Sequence, residues 1–242
     1  MKFGAPLTRQ SIACHGRSHV GLVRDENEDS FGIATDRGIA VVSDGMGGHE
    51  NGRYVADCTV AALCQVVPGE CLDETLARTK EALAATNRDV FRRAQDMGKT
   101  MGATLVAAAI DRDRIGIVWA GDSRAYIFRH DRLHCLTRDH STVQDLLDAG
   151  KISPCEAARH PLRHVITRAL GVMPTLGVES GTHALSQGDI VLLSSDGLHG
   201  AVSDDQITAC LRQHGLNAID HLIEIALDAG GRDNITIVLL QV

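Results

Sequence analysis

Three apolar runs in this chain lead directly into an aspartate. AVVSDGMGGHE (40–50) places Asp44 before a cluster of glycines, IVWAGDSRAY (117–126) places Asp122 after a glycine, and VLLSSDGLHG (191–200) repeats the design with Asp196-Gly197. An apolar run of this length, bounded by turn residues, reads as a core strand. A chain built this way must bury several strands and deliver a carboxylate at the edge of each. One such aspartate is a turn or cap residue; three in equivalent places suggest a shared site.

Strand-type runs, these three included, lie at 11–18, 31–34, 38–43, 104–111, 114–120, 124–129, 177–184, 189–194 and 234–241. The stretch 104–136 reads as successive strands joined by tight polar turns, an antiparallel meander. Two helical patterns follow the first Asp-Gly: 51–67, rich in Ala, Val and Leu, and 72–94, with Leu72, Leu76, Leu83, Val90 and Phe91 on one stripe. Ser203 and Gln206 form a capping box ahead of Ile207, Cys210 and Leu211. A last helix over 218–228 stops before Gly230-Gly231. This order predicts an α+β fold of antiparallel sheets covered by helices, not βαβ repeats. Residues 137–176 interrupt it with a polar, His- and Arg-rich insertion, which is expected to be a functional flap. One domain over 1–242 is expected, because no repeat or linker divides the chain.

Several function classes fall away. The formal net charge is −7 and the basic residues are scattered, which argues against a nucleic-acid surface. No apolar stretch approaches the ~20 residues of a membrane span, and no apolar leader is evident. Seven cysteines without a CxxC pair read as reduced thiols of a cytoplasmic protein. No arginine stands six positions after any of them, so the loop of thiol phosphatases is missing.

The carboxylate candidates are Glu28 and Asp29 in RDENEDS, Asp44, Asp122, Asp196, and Asp233 in GGRDNITIVLL. If they converge, electrostatics restricts what they can do. Two like charges ~4 Å apart repel by about 4 kcal/mol at an effective dielectric of 20. Four in one pocket therefore require protons or cations. Oxygen-only ligand sets suit Mg²⁺ or Mn²⁺, and two such ions can share a bridging carboxylate and activate a water. Asp44 suits the bridge, and Gly45 lets the backbone come close enough for its carbonyl to be a ligand. Arg24, four residues before Glu28, offers a planar fork for phosphate oxygens; a salt bridge to Asp25 or Glu28 is its plainer use. His49, beyond the glycines, has the ordinary pKa of a general acid.

The motifs GLVRDENEDS, VVSDGMGGH, MGATLVAA, WAGDSRAY, LTRDHS, HPLRHVITRALG, LLSSDGL and GGRDNITIVLL stand in an order and spacing that resemble the PP2C-type (PPM) metal-dependent protein phosphatases, the compact bacterial members above all. The match runs from about Ser18 to the C-terminus. The resemblance implies two antiparallel sheets packed as a sandwich and flanked by helix pairs, with metals in a cleft at one end. It implies that Asp44 bridges two Mn²⁺ or Mg²⁺ ions, that the Gly45 carbonyl binds one, and that Asp196 and Asp233 complete the centre. Glu28 and Asp29 would hold metal-bound waters, Arg24 the substrate phosphate, and Asp122 a third, weaker ion. Ser141, on the flap, is a further ligand candidate near that third site.

The implied reaction is hydrolysis of phosphoserine and phosphothreonine in proteins by a metal-bridging hydroxide, with His49 or a water protonating the leaving group. The implied partners are phosphorylated proteins and a bacterial Ser/Thr kinase with its substrates. A monomer is expected, and free-standing domains of this length include the member associated with type VI secretion. The sequence departs from the common patterns at Ala103 in MGATL and His199 in SDGLHG, neither an implied ligand. A rival reading is a GDS-type serine esterase with Ser123 as nucleophile and Asp196 and His199 as partners. That reading leaves Asp44, Asp233 and Arg24 unexplained and lacks a G-x-S-x-G elbow. A phosphopeptide-binding module that uses the same pocket without turnover is the non-enzymatic alternative.

Overall fold

A computed structural model describes residues 12–47, 50–157 and 159–242. In chain order the first half holds β1 (Ala13–His19), β2 (Asp29–Ala34), β3 (Ile39–Met46), α1 (Glu50–Cys64), α2 (Leu72–Met97), β4 (Gly102–Asp111) and β5 (Arg114–Ala120). The second half holds β6 (Arg124–Arg129), β7 (Arg132–Cys135), α3 (Thr142–Asp148), α4 (Pro154–Ala157), β8 (Glu179–Ala184), β9 (Ile190–Ser194), α5 (Asp196–His199), α6 (Asp204–His214), α7 (Ala218–Asp228) and β10 (Ile235–Gln241).

The strands form two five-stranded sheets, ordered β1-β10-β9-β6-β7 and β2-β3-β4-β5-β8. Among the described residues the strand pairings within both sheets are antiparallel, from β2 on β3 to β6 on β9. The apolar runs are continuous because each central strand is buried on both faces. In β3, Val42 turns toward the other sheet, where it joins Val106, Ile117, Leu193 and Val238. Its neighbour Val41 turns outward onto helices, beside Leu63 of α1 and Leu83 and Val90 of α2. β10 alternates likewise, with Ile237 and Leu239 packed against Ile207 of α6 and Leu222 of α7. Burying each such side chain stabilises the fold by about 1.5–3 kcal/mol. Three apolar layers between four layers of structure result: helices, sheet, sheet, helices.

The stripe expected on 72–94 is real: Leu72, Leu76, Leu83 and Val90 are buried, and Phe91 is half-buried. The helix runs three residues further and ends where Gly98 adopts φ 61° and donates its N–H to Ala94. The capping box at α6 forms as expected, Gln206 N–H donating to Ser203 Oγ and Gln206 Oε1 accepting from Ser203 N–H.

One local expectation is corrected. Asp44 does not follow its strand: β3 continues through Gly45 and Met46, which pair with Ala103 and Gly102 of β4. Asp196 opens a single helical turn, α5, that the periodicity of so short a segment could not reveal.

Candidate active site

Both sheets deliver their carboxylates to one cleft of about 1030 Å³, lined among others by Arg24, Glu28, Asp44, Asp122, Asp196 and Asp233. The ladder registers explain how. Asp44 stands opposite Asp29 of β2 on one side and Thr104 of β4 on the other. Asp122 occupies the turn between β5 and β6, Asp196 follows β9, and Asp233 precedes β10. β9 and β10 pair directly, so the last two are brought together by the sheet itself. Their approach needs Gly197, where a Cβ would lie 1.9 Å from the Asn234 carbonyl oxygen. Gly52 at the start of α1 likewise leaves room for Glu28, whose Oε2 would lie 2.1 Å from an added Cβ. Gly45 also lines the cleft.

Asp29 lies behind the cleft, 1% exposed. Its Oδ2 accepts a 2.7 Å hydrogen bond from Ser195 Oγ, which in turn accepts from Thr236 N–H at 3.0 Å. Its Oδ1 is buried without a hydrogen-bond partner among the described residues. A buried carboxylate oxygen left in that state costs about 1–3 kcal/mol or more, and marks a place for a water or cation.

The carboxylates hold one another's protons. Burial, then Asp29, Asp196, Asp122 and Asp233, push Asp44 well above the usual carboxylate range. Burial raises Asp29 to about 7 against the opposing hydrogen bonds from Thr236 and Ser195, with Asp196 and Asp233 adding to the rise. Asp122 is raised to about 7 by burial, then by Asp196 and Asp139. Asp196 is raised by burial and Asp233, with His164 and Arg24 opposing. Carboxylates in this condition cannot all ionise near neutral pH without cations beside them. Among the described residues no group of three or more His, Cys, Asp or Glu side chains is arranged to hold a metal ion as the side chains stand. Arg24 Nη2 bonds Asp233 Oδ2 at 2.7 Å, and Ser195 holds one oxygen of Asp29. The oxygen-rich, mutually repelling donor set and the unpartnered Asp29 oxygen fit hard divalent ions.

Arg24 thus pairs with Asp233, a partner 209 residues away in sequence, and among the described residues no ion pair of Arg24 with Asp25 or Glu28 is seen. Its guanidinium lies in the cleft, kept charged first by Asp233, then by Asp44 and Asp196. His49 lies outside the described residues. Ser141 is buried as the N-cap of α3, its Oγ accepting from Gln144 N–H at 3.3 Å, and is not among the residues lining the cleft. The esterase constellation does not assemble. Ser123 is 1% exposed with its Oγ 2.6 Å from Thr104 Oγ1, and His199 Nδ1 lies 3.2 Å from Ser194 Oγ.

Asn234 is the residue the sequence reading passed over. Its Oδ1 accepts from Glu28 N–H at 2.8 Å, and its Nδ2 donates to the Val20 and Glu26 carbonyls at 2.9 and 3.0 Å. It ties the Arg24-bearing loop to the start of β10. Its position between Asp233 and an apolar run was the available signal. Ser195 and Thr236, which hold Asp29, gave no such signal, because a strand serine or threonine is unremarkable.

Residues 15–221 match the protein phosphatase 2C family, and the chain belongs to it. It is 39% identical over 233 residues to the serine/threonine protein phosphatase PstP of Mycobacterium tuberculosis, across 93% of this chain and 44% of that protein. The chain therefore spans less than half the length of that relative. Among solved structures, PppA, described as a key regulatory component of T6SS in Pseudomonas aeruginosa, superposes with a TM-score of 0.87 at 34% identity, over 95% of this chain and 97% of the other. The catalytic domain of PstP in complex with two manganese ions superposes with a TM-score of 0.86 at 35% identity, over 95% and 97% of the two chains.

Proposed function

We propose that the chain is a Mn²⁺- or Mg²⁺-dependent phosphatase that hydrolyses phosphoserine and phosphothreonine in proteins. The observation that carries this reading is the position of Asp44, ionically opposed by Asp29, Asp122, Asp196 and Asp233 inside a cleft that also holds Arg24. The family membership and the two manganese ions of the related PstP domain support it.

Asp44, Asp196, Asp233 and the Gly45 carbonyl would hold two divalent ions, with Glu28 and Asp29 orienting water around them and Asp122 beside a third, weaker site. When bound, the ions supply the charge that lets these carboxylates ionise and a water acidic enough to act near neutral pH. The chain's own residues do the rest. Arg24 leaves or shares Asp233 and forks onto two phosphate oxygens, neutralising charge that grows during displacement. Buried Asp29, one oxygen fixed by Ser195, would use its other oxygen to align a water. His49 is the candidate donor to the leaving serine or threonine oxygen. Natural partners would be phosphorylated proteins and the bacterial Ser/Thr kinase that modifies them.

Purified protein stripped with a chelator is expected to be inactive on p-nitrophenyl phosphate and on a phosphothreonine peptide. Mn²⁺ should restore activity to the wild type and not to Asp44→Ala. Binding of the peptide without turnover, across several metals, would favour the phosphopeptide-binding module instead. Activity that survives chelation would overturn the proposal.

A further inference from the structure

Asp122 sits on a turn whose preceding glycine, Gly121, is bonded at both backbone polar groups by one histidine, His140. Gly121 has φ 106°, and a Cβ there would lie 2.5 Å from Thr104, so a side chain is excluded twice over. Such a turn is held by its hydrogen bonds: His140 bonds both backbone groups of Gly121, and His199 bonds the backbone of Asp122. The His140 ring Nδ1 accepts from Gly121 N–H at 3.1 Å, and the His140 backbone N–H donates to the Gly121 carbonyl at 2.9 Å.

The ring is itself held. It is 5% exposed and stacks against Trp119, with centroids 6.2 Å apart and planes 11° from parallel. Because Nδ1 accepts, the ring proton of neutral His140 sits on Nε2, which lies 3.2 Å from Glu179 Oε1 and 3.1 Å from Arg168 Nη1; it donates to the carboxylate, since a guanidinium offers no acceptor. Arg168 Nη1 bonds the same Glu179 oxygen at 2.9 Å. The His140 carbonyl accepts from Thr167 N–H at 2.7 Å, so both ends of the 137–176 segment meet here. Asp139, next in the chain, makes a two-pronged pair with Arg124 at 2.8 and 2.7 Å just beyond the turn.

We propose that His140 is a positioning residue for Asp122: by bonding both polar groups of Gly121, it fixes the turn that aims this carboxylate into the cleft. This rests on the phosphatase reading only in giving Asp122 a catalytic setting; the clamp itself does not. Two substitutions separate its parts. The side-chain oxygen of His140→Asn stands where Nδ1 was and can still accept from Gly121. The longer His140→Gln reaches toward Glu179 and leaves Gly121 N–H without its acceptor.

The test uses the full chain with both variants, Asp122→Asn, and the Asp122→Asn/His140→Gln double variant. Expected for His140→Gln is a three- to tenfold fall in kcat, or an equal rise in the Mn²⁺ needed for half-maximal activity, with KM within about twofold. His140→Asn should remain within about twofold of wild type, and His140→Gln should add less than about twofold on the Asp122→Asn background. His140→Gln behaving as wild type, His140→Asn failing equally, or full additivity with Asp122→Asn would overturn the proposal. Should the wild type hydrolyse nothing, the phosphatase reading fails and hydrogen exchange decides the clamp. A Gly121 amide protected in wild type and His140→Asn but not in His140→Gln upholds it; an unprotected amide in wild type overturns it.

Discussion

Asp29 and Asp44 stand directly opposite each other on neighbouring strands, at the first rung of the β2–β3 ladder. Like charges in that relationship destabilise a sheet, and here each raises the proton affinity of the site. The sign of the resulting pH dependence is fixed. A carboxyl whose folded pKa is raised contributes stability that is present below its unfolded value and lost as pH rises toward the folded one. For Asp29 and Asp122 the window runs from 3.8 to about 7. In chelator, this contribution should lower the Tm as pH rises through that window. The Tm gained on adding Mn²⁺, which binds the ionised form, should grow over the same range. A gain independent of pH would mean that these carboxylates do not bind the ion.

Asp44→Asn separates stability from activity. It removes the charge at the centre of the repulsion, so the metal-free variant should be more stable than metal-free wild type, by about 1–3 kcal/mol in urea unfolding near neutral pH. Its phosphatase activity should fall by at least about a hundredfold. A variant destabilised without metal would show that Asp44 is a structural hydrogen-bonding residue.

Arg24 offers a sharper contrast between chemistry and charge. Arg24→Lys keeps the positive charge opposite Asp233 but loses the two-pronged fork. Steady-state kinetics on a phosphothreonine peptide should show kcat/KM lowered about tenfold or more in both Arg24→Lys and Arg24→Ala. Full activity in Arg24→Lys would reduce the role of Arg24 to that of a neutralising charge.

Ser195→Ala removes the donor to Asp29 Oδ2 and the acceptor for Thr236 N–H. Because both partners are buried, a loss of about 1–3 kcal/mol is expected from urea unfolding. Unchanged stability would place these bonds among those that water replaces.

The strands were legible because burial on both faces leaves long apolar runs, and Val41 and Val42 can face different cores without changing chemistry. The site was legible where an aspartate adjoins such a run and a glycine. It was not legible where position depends on register: nothing local says that Asp29 will face Asp44, or that Arg24 will reach past Asp25 to Asp233. Asn234 escaped for the same reason, since its bonds cross more than 200 residues of chain. Asp44 reads locally as lying beyond its strand because Gly45 looks like a strand breaker, whereas the β4 ladder carries β3 on through Met46.

The central claim is that these carboxylates exist to hold two ions. Equilibrium dialysis of chelator-stripped protein against Mn²⁺, with metal counted per chain, tests it most directly. Wild type should bind two Mn²⁺ tightly, and Asp44→Asn should fall below one under the same conditions, while remaining folded. Wild type binding less than one ion, or Asp44→Asn binding as many as wild type, would contradict the account.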